Sequence, residues 1–293
     1  MKSKWVMALR NTPDLTHKVC LITGGTSGIG LASARALAKM GAELFLVCRN
    51  PEKGQRVIDQ MASETGNPKL NLLIGDLASL SEVRRIAQEF LKYEKPLHIL
   101  LNNAGVYAMK RNLARDNLEE MFAVNHLSHF LLTNLFLDRM KLSSEARIVN
   151  VASGAHMLVR QINFEDLNFD NGFRSLKVYS HSKLANMLFT HELARRLADC
   201  NITVNSADPG EVGTNLGSQN GVFGKVISRL MKLFLQSPEK GAKTSVYLCT
   251  SDEVDGVTGK YFRNCREKEP KSWARNNKMA KRLWAVSEQL TSM

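Results

Sequence analysis

The chain has 293 residues and a mass of 32.8 kDa, too long for a small stapled module and the right size for one large α/β domain. Apolar residues at 44% and charged residues at 23% argue against intrinsic disorder. Lysine and arginine outnumber aspartate and glutamate by 40 to 28, a net charge of +12 that raises nucleic acid or an anionic membrane as partners to be weighed.

The five cysteines, Cys20, Cys48, Cys200, Cys249 and Cys265, form no C-x-x-C pair. Neither a disulfide framework nor a zinc cage is indicated, no metal is expected, and reduced thiols point to a cytoplasmic protein. Residues 1–16 read as an extension. Lys2, Lys4, Arg10, Asp14 and Lys18 break any apolar run there, so neither a signal segment nor a membrane span is expected.

Val19 to Ile22 reads as a first strand, followed by a glycine turn and a helix-forming run from Leu31 to Ala38. Glu43 to Cys48 and Leu70 to Ile74 give the second and third strands. Val83, Ile86, Ala87, Phe90 and Leu91 then make one apolar stripe of a helix. Leu97 to Leu101, Arg147 to Val151, Ile202 to Asn205 and Val257 to Phe262 complete about seven strands. Strands alternating with helices define a single-domain Rossmann fold over residues 1–293, a doubly wound parallel sheet with helices on both faces. There is no repeat or linker to mark a second domain.

The turn Thr23-Gly24-Gly25-Thr26-Ser27-Gly28-Ile29-Gly30 joins strand end to helix start, where bare backbone can approach a pyrophosphate and helix N–H groups can donate to it. Its spacing, G-x-x-x-G-x-G, differs from G-x-G-x-x-G. The tip of the second strand, Cys48-Arg49-Asn50, has no carboxylate to hold a ribose 2′-hydroxyl, and Arg49 offers a fork for a phosphate. NADP(H) is therefore favoured over NAD(H). Tyr179 and Lys183, four apart on a helical segment, project from one face. A nearby ammonium and an oxidised nicotinamide would both favour the phenolate, making proton transfer feasible. Ser153 can donate to the same substrate oxygen.

With the glycine turn, Asn102-Asn103-Ala104-Gly105, Ser153 and Tyr179-x-x-x-Lys183 in this order, the chain resembles the short-chain dehydrogenase/reductase family along nearly its whole length, and within it the retinol-dehydrogenase-like branch. The resemblance implies a catalytic set of Asn125, Ser153, Tyr179 and Lys183. In it Lys183 also holds the nicotinamide ribose and Asn125 supports a water chain. It further implies that Gly24, Thr26, Ser27, Gly28, Ile29 and Gly30 cradle the cofactor and that Arg49, Asn50, Asp76 and Leu77 meet its adenosine end. Asn102, Asn103, Ala104 and Gly105 would line the cleft, and Pro209, Gly210, Val212 and Thr214 would cover the nicotinamide. Asp76 could equally be a helix cap, Asn102 to Gly105 a sheet-end turn and Pro209-Gly210 a chain reversal. Asp208 and Ala152 depart from the branch pattern, which commonly has His and a first Ser at these places.

Residues 216–238 read as an insertion carrying an amphipathic helix over Val222 to Gln236, which in this family is a lid over a lipophilic substrate. A plain core helix or a peripheral contact with anionic membrane stays open. From Lys260 to Arg282 there are nine basic and two acidic residues, read as a solvated basic face, with no nucleic acid expected. Trp273 and Trp284 sit in a helical pattern as core anchors would. The resulting expectation is an enzyme interconverting a small hydrophobic aldehyde or ketone and its alcohol, with a homodimer left open. The competing class is a non-catalytic NADPH-binding scaffold.

Overall fold

Strand β1 (Val19–Thr23) sends alternate side chains to opposite faces. Val19 and Leu21 pack with Phe45 and Val47 in one apolar cluster, while Cys20 and Ile22 pack with Leu44 and Leu46 in the other. A strand apolar on both faces must be covered on both, which is why helices flank this sheet on either side. The computed structural model describes residues 13–210 and 237–293.

After β1 come α1 (Gly28–Lys39), β2 (Glu43–Cys48), α2 (Pro51–Thr65), β3 (Leu70–Ile74), α3 (Leu80–Leu91) and β4 (Ile99–Asn102). A short α4 (Glu120–Phe122) runs through a π turn (Ala123–Leu127) into α5 (Ser128–Lys141), followed by β5 (Ala146–Val151), α6 (Ser175–Arg196) and β6 (Ile202–Asp208). A helix at Pro238–Thr250, β7 (Tyr261–Arg263), β8 (Arg266–Lys268) and a last helix at Asn277–Thr291 follow. The strand order is β3-β2-β1-β4-β5-β6-β7-β8, parallel except for β8. Winding reverses between β1 and β4, and such a switch point opens a crevice at the carboxyl ends of the strands.

Local signals explain the boundaries. Asn50 caps α2 by accepting from the Lys53 N–H at 2.8 Å, and Gly66, at φ 70°, ends it. In α3 the expected stripe is buried at Val83, Ile86, Ala87 and Phe90. The seventh strand starts later than its apolar run. Thr258 Oγ1 accepts from Val204 N at 3.0 Å, and Gly259 at φ 73° bends the chain before pairing with β6 begins. The eighth strand is an addition to the expected seven. Asn264 and Cys265, both at positive φ, turn the chain back into a polar, exposed edge strand that shows no alternation to read.

Trp284 is an anchor, its ring 4.9 Å from Phe130 and under the Arg196 guanidinium at 4.1 Å, whereas Trp273 lies in a short 3-10 turn. Three of the nine basic residues in the Lys260 to Arg282 stretch form ion pairs, Lys260 with Glu267, Arg275 with Glu269 and Arg282 with Glu165. Among the described residues no helix is long and apolar enough to cross a membrane.

Candidate active site

The crevice is a cavity of about 780 Å³ at the carboxyl ends of the strands. Its floor is the glycine turn. Gly24 takes φ 67°, and a Cβ on Gly30 would stand 2.3 Å from the Gly24 carbonyl oxygen and 2.4 Å from Asn103 Nδ2. The turn therefore closes onto α1 only without that side chain. The first turn of α1 has no acidic residue, and Ser27 makes no side-chain cap there, so nothing from the chain's own side chains competes with an anion for the helix start. Thr26, Ser27, Gly28 and Ile29 line the cavity with these glycines.

Thr23 locks this floor to the opposite wall. Its hydroxyl accepts from the N–H groups of Asn103 and Ala104, each at 2.9 Å, and donates to His129 Nε2 at 3.0 Å. Asn103 returns a bond from Nδ2 to the Thr23 carbonyl at 2.9 Å. Asn103, Ala104 and Gly105 line the cleft. Asn102 does not: buried beneath them, it donates to Thr133 and Asn150 and ties β4 to α5 and β5. Gly30→Ala is expected to cost roughly 1–3 kcal/mol in stability by overpacking and to weaken dinucleotide binding. Denaturant midpoints and NADPH fluorescence titrations check both, and an unaltered midpoint would remove the close-approach explanation.

At one end of the cavity Arg49 and Asn50 are exposed at the tip of β2, beside Asp76 and Leu77. Asp76 serves a local role as well, accepting from the Ala78 N–H at 3.0 Å. Lys53 lines the same end and was not anticipated. It follows Arg49 by four positions, on the first turn of α2, a spacing from which it could have been found.

At the other end Ser153, Tyr179 and Lys183 share the wall with Pro209 and Gly210. Ser153 stands just beyond β5, its Oγ accepting from the Ala155 N–H at 3.2 Å. Lys183, 3% exposed, donates to the Val151 carbonyl at 3.1 Å and lies 5.6 Å from the centre of the Tyr179 ring. Tyr107 packs edge-on against that ring at 5.3 Å. Burial pushes the Tyr179 phenol well above its ordinary value. A hydrogen bond with Ser153 opposes this, and the charge of Asp208 adds to it. Burial also pulls Lys183 down to about 8, with Asp208 opposing. Within the protein itself desolvation is the largest influence on the phenol, and the oxidised nicotinamide that the sequence reading pairs with the ammonium would come with the bound cofactor.

Asn125 is on the π turn behind the cavity wall. Its Oδ1 accepts from Val106 N at 2.7 Å, and its Nδ2 donates to the Val106 carbonyl and to Ser182 Oγ. The side chain is a clamp between the loop after β4 and α6. Val212, Thr214, the residue 1–12 part of the extension and the Val222 to Gln236 helix lie outside the described residues.

These features coincide with a match to the short chain dehydrogenase family over residues 18–221. Retinol dehydrogenase 12 of Mus musculus is 41% identical over 277 residues, covering 94% of this chain and 87% of its own. Among solved structures, a Mycobacterium paratuberculosis protein aligns with a TM-score of 0.78 at 32% identity, covering 96% of each chain. A Beutenbergia cavernae protein solved with bound NADP aligns at 0.67 and 26%, covering 86% of this chain and 96% of its own. The chain belongs to the short-chain dehydrogenase/reductase family, enzymes that move reducing equivalents between alcohols and carbonyls with a nicotinamide dinucleotide. Within that family it falls in the retinol-dehydrogenase-like branch.

Proposed function

We propose that the protein is an NADP(H)-dependent oxidoreductase that interconverts a hydrophobic aldehyde or ketone and its alcohol. The observation that carries this reading is the convergence of Ser153, Tyr179 and Lys183 on one end of a cavity whose other end presents Arg49 and Lys53. A bound nicotinamide dinucleotide would supply or accept the hydride. Tyr179 would give its phenolic proton to the carbonyl oxygen during reduction and take it back during oxidation, while Ser153 donates a hydrogen bond to that oxygen. Lys183 would hold the ribose hydroxyls, and Asn125 would keep the loop after β4 and α6 in register so that these groups stay converged. Arg49 and Lys53, two cations lining the same end of the cavity, suit a 2′-phosphate. The mouse relative's name, a retinol dehydrogenase, supports a lipophilic alcohol or carbonyl as substrate.

The test is NADPH and NADH oxidation with retinal, steroid ketones, lipid aldehydes and quinones. NADPH is expected to be preferred, and Arg49→Ala and Lys53→Ala are each expected to weaken NADPH binding by about 10-fold or more, the worth of one charge-assisted hydrogen bond. NADH binding should be left alone by both. Tight NADPH binding with no turnover on any carbonyl would point to the scaffold reading. An NADH preference would overturn the role given to Arg49.

A further inference from the structure

Asp208 closes β6 and is buried, at 1% exposure. Its Oδ1 accepts from the Gly210 N–H at 2.8 Å, and its Oδ2 accepts from the hydroxyl of Tyr261, itself buried on β7. Oδ2 lies 3.6 Å from the place a Cβ would take on Gly154, the residue after Ser153. The β5–β6 register pairs Val151 with Ala207, and the Val151 carbonyl is the anchor of the Lys183 ammonium. The carboxylate therefore sits one residue along and one strand across from that anchor. His156 completes the cluster, with Nδ1 at 2.7 Å from the Ser153 carbonyl and its ring 5.2 Å from Tyr261, edge-on.

A buried carboxylate is costly unless its charge is compensated. Gly210 and Tyr261 are neutral donors, so the charge of Asp208 acts outward on the groups around it. Lys183 meets Tyr179 on its own helix, His129 on α5, the Val151 carbonyl on β5 and Asp208 on β6. Tyr179 meets Tyr107, Ser153, Lys183 and Asp208. Asp208 meets Tyr261 and His156, and Arg263 on β7 stands near Tyr261. Asp208 is the one acidic side chain in these sets among the described residues, and it raises the proton affinity of both Lys183 and Tyr179.

We propose that Asp208 is a positioning residue that supplies the counter-charge of the buried Tyr179–Lys183 pair, the one carboxylate among the described residues set beside the ammonium that would hold a ribose. The proposal rests on the oxidoreductase reading, so its test includes a measurement that needs no turnover. NADPH affinity is measured by fluorescence from pH 6 to about pH 10 for the wild type, Asp208→Asn and Asp208→Glu, together with alcohol oxidation over the same range. Removing the negative charge lowers the proton affinity of both groups. In Asp208→Asn the pH above which NADPH affinity declines is expected to move down by about one unit, and the rising limb of oxidation to move with it. Asp208→Glu keeps the wild-type midpoints.

Binding curves that are flat or superimposed in wild type and Asp208→Asn overturn the proposal, whatever the turnover. Displaced binding curves without turnover in any variant leave Asp208 as the counter-charge and remove the oxidoreductase reading. Should Asp208→Asn fail to fold, Asp208→Ser replaces it. That variant also removes the negative charge, so the midpoint moves down as in Asp208→Asn; a midpoint that stays or moves up overturns the proposal.

Discussion

Tyr179→Phe is expected to lower kcat/KM for carbonyl reduction by about 10²–10⁴-fold, the range of a positioned general acid, while the NADPH dissociation constant stays unchanged. The separation follows from what the side chain touches. Its ring packs on Tyr107 and under the Lys183 ammonium, contacts that phenylalanine keeps, whereas the hydroxyl alone faces Ser153 and the cavity. Burial holds the phenol protonated at neutral pH, so it rests as the acid that reduction needs. For oxidation the same phenol must first lose its proton, and the rate should rise with pH. Stopped-flow decay of NADPH absorbance with a responsive aldehyde, beside a fluorescence titration of the cofactor, checks both halves. A variant that turns over at the wild-type rate would remove Tyr179 as proton donor and leave the cavity a binding site only.

The residues that came straight from sequence are those whose meaning is local. The glycine turn reads as a strand-to-helix junction because seven successive residues carry its spacing, and Tyr179-x-x-x-Lys183 reads as one helix face because four residues make about a turn. Arg49 was legible because the tip of β2 follows the turn by a roughly constant chain length. Contacts made across the sheet were not legible in this way. Tyr261 reaches Asp208 from a strand 53 positions away, and His129 reaches Thr23 across 106. Asn102, one residue before the lining run, faces the core because successive strand residues point to opposite sides, a parity that the motif Asn102-Asn103-Ala104-Gly105 does not reveal. The edge strand β8 was missed for the same kind of reason: its polar residues gain their conformation from pairing with β7 rather than from any periodicity of their own.

Acid lability should be pronounced, with net stability falling by on the order of 4 kcal/mol between pH 7 and pH 5. His126 and His129, buried on the π turn and at the head of α5, are held by burial at about 3, and His181 on α6 at about 4, against an ordinary value of 6.5. A histidine depressed in the folded state binds its proton first in the unfolded chain. It contributes stability that is complete above about pH 6.5 and is lost as the pH falls, each of the three giving up about 2 kcal/mol by pH 5. Glu119 runs the other way. Burial lifts it from 4.5 to about 7, so the folded state gains relative to the unfolded one as the pH falls from 7 to 5, returning about 2 kcal/mol. The histidines win because they are three against one.

His129 also carries the consequence to the cofactor floor. Its Nδ1 donates to the Asn125 carbonyl, which leaves Nε2 to accept from Thr23, and the Thr23 oxygen already accepts two backbone N–H groups. A second ring proton would meet an occupied oxygen, so protonation loosens the turn that holds Gly24 against Asn103 as well as the fold. Urea midpoints at pH 5 and pH 7.5 should therefore differ in wild type and differ more in Glu119→Gln, which lacks the opposing carboxyl. NADPH affinity should hold over the same interval, because a folded-state value of about 3 keeps the His129 ring neutral at pH 5. Equal midpoints at the two pH values, or a smaller difference in Glu119→Gln than in wild type, would mean that water reaches these histidines and that burial does not set their charge.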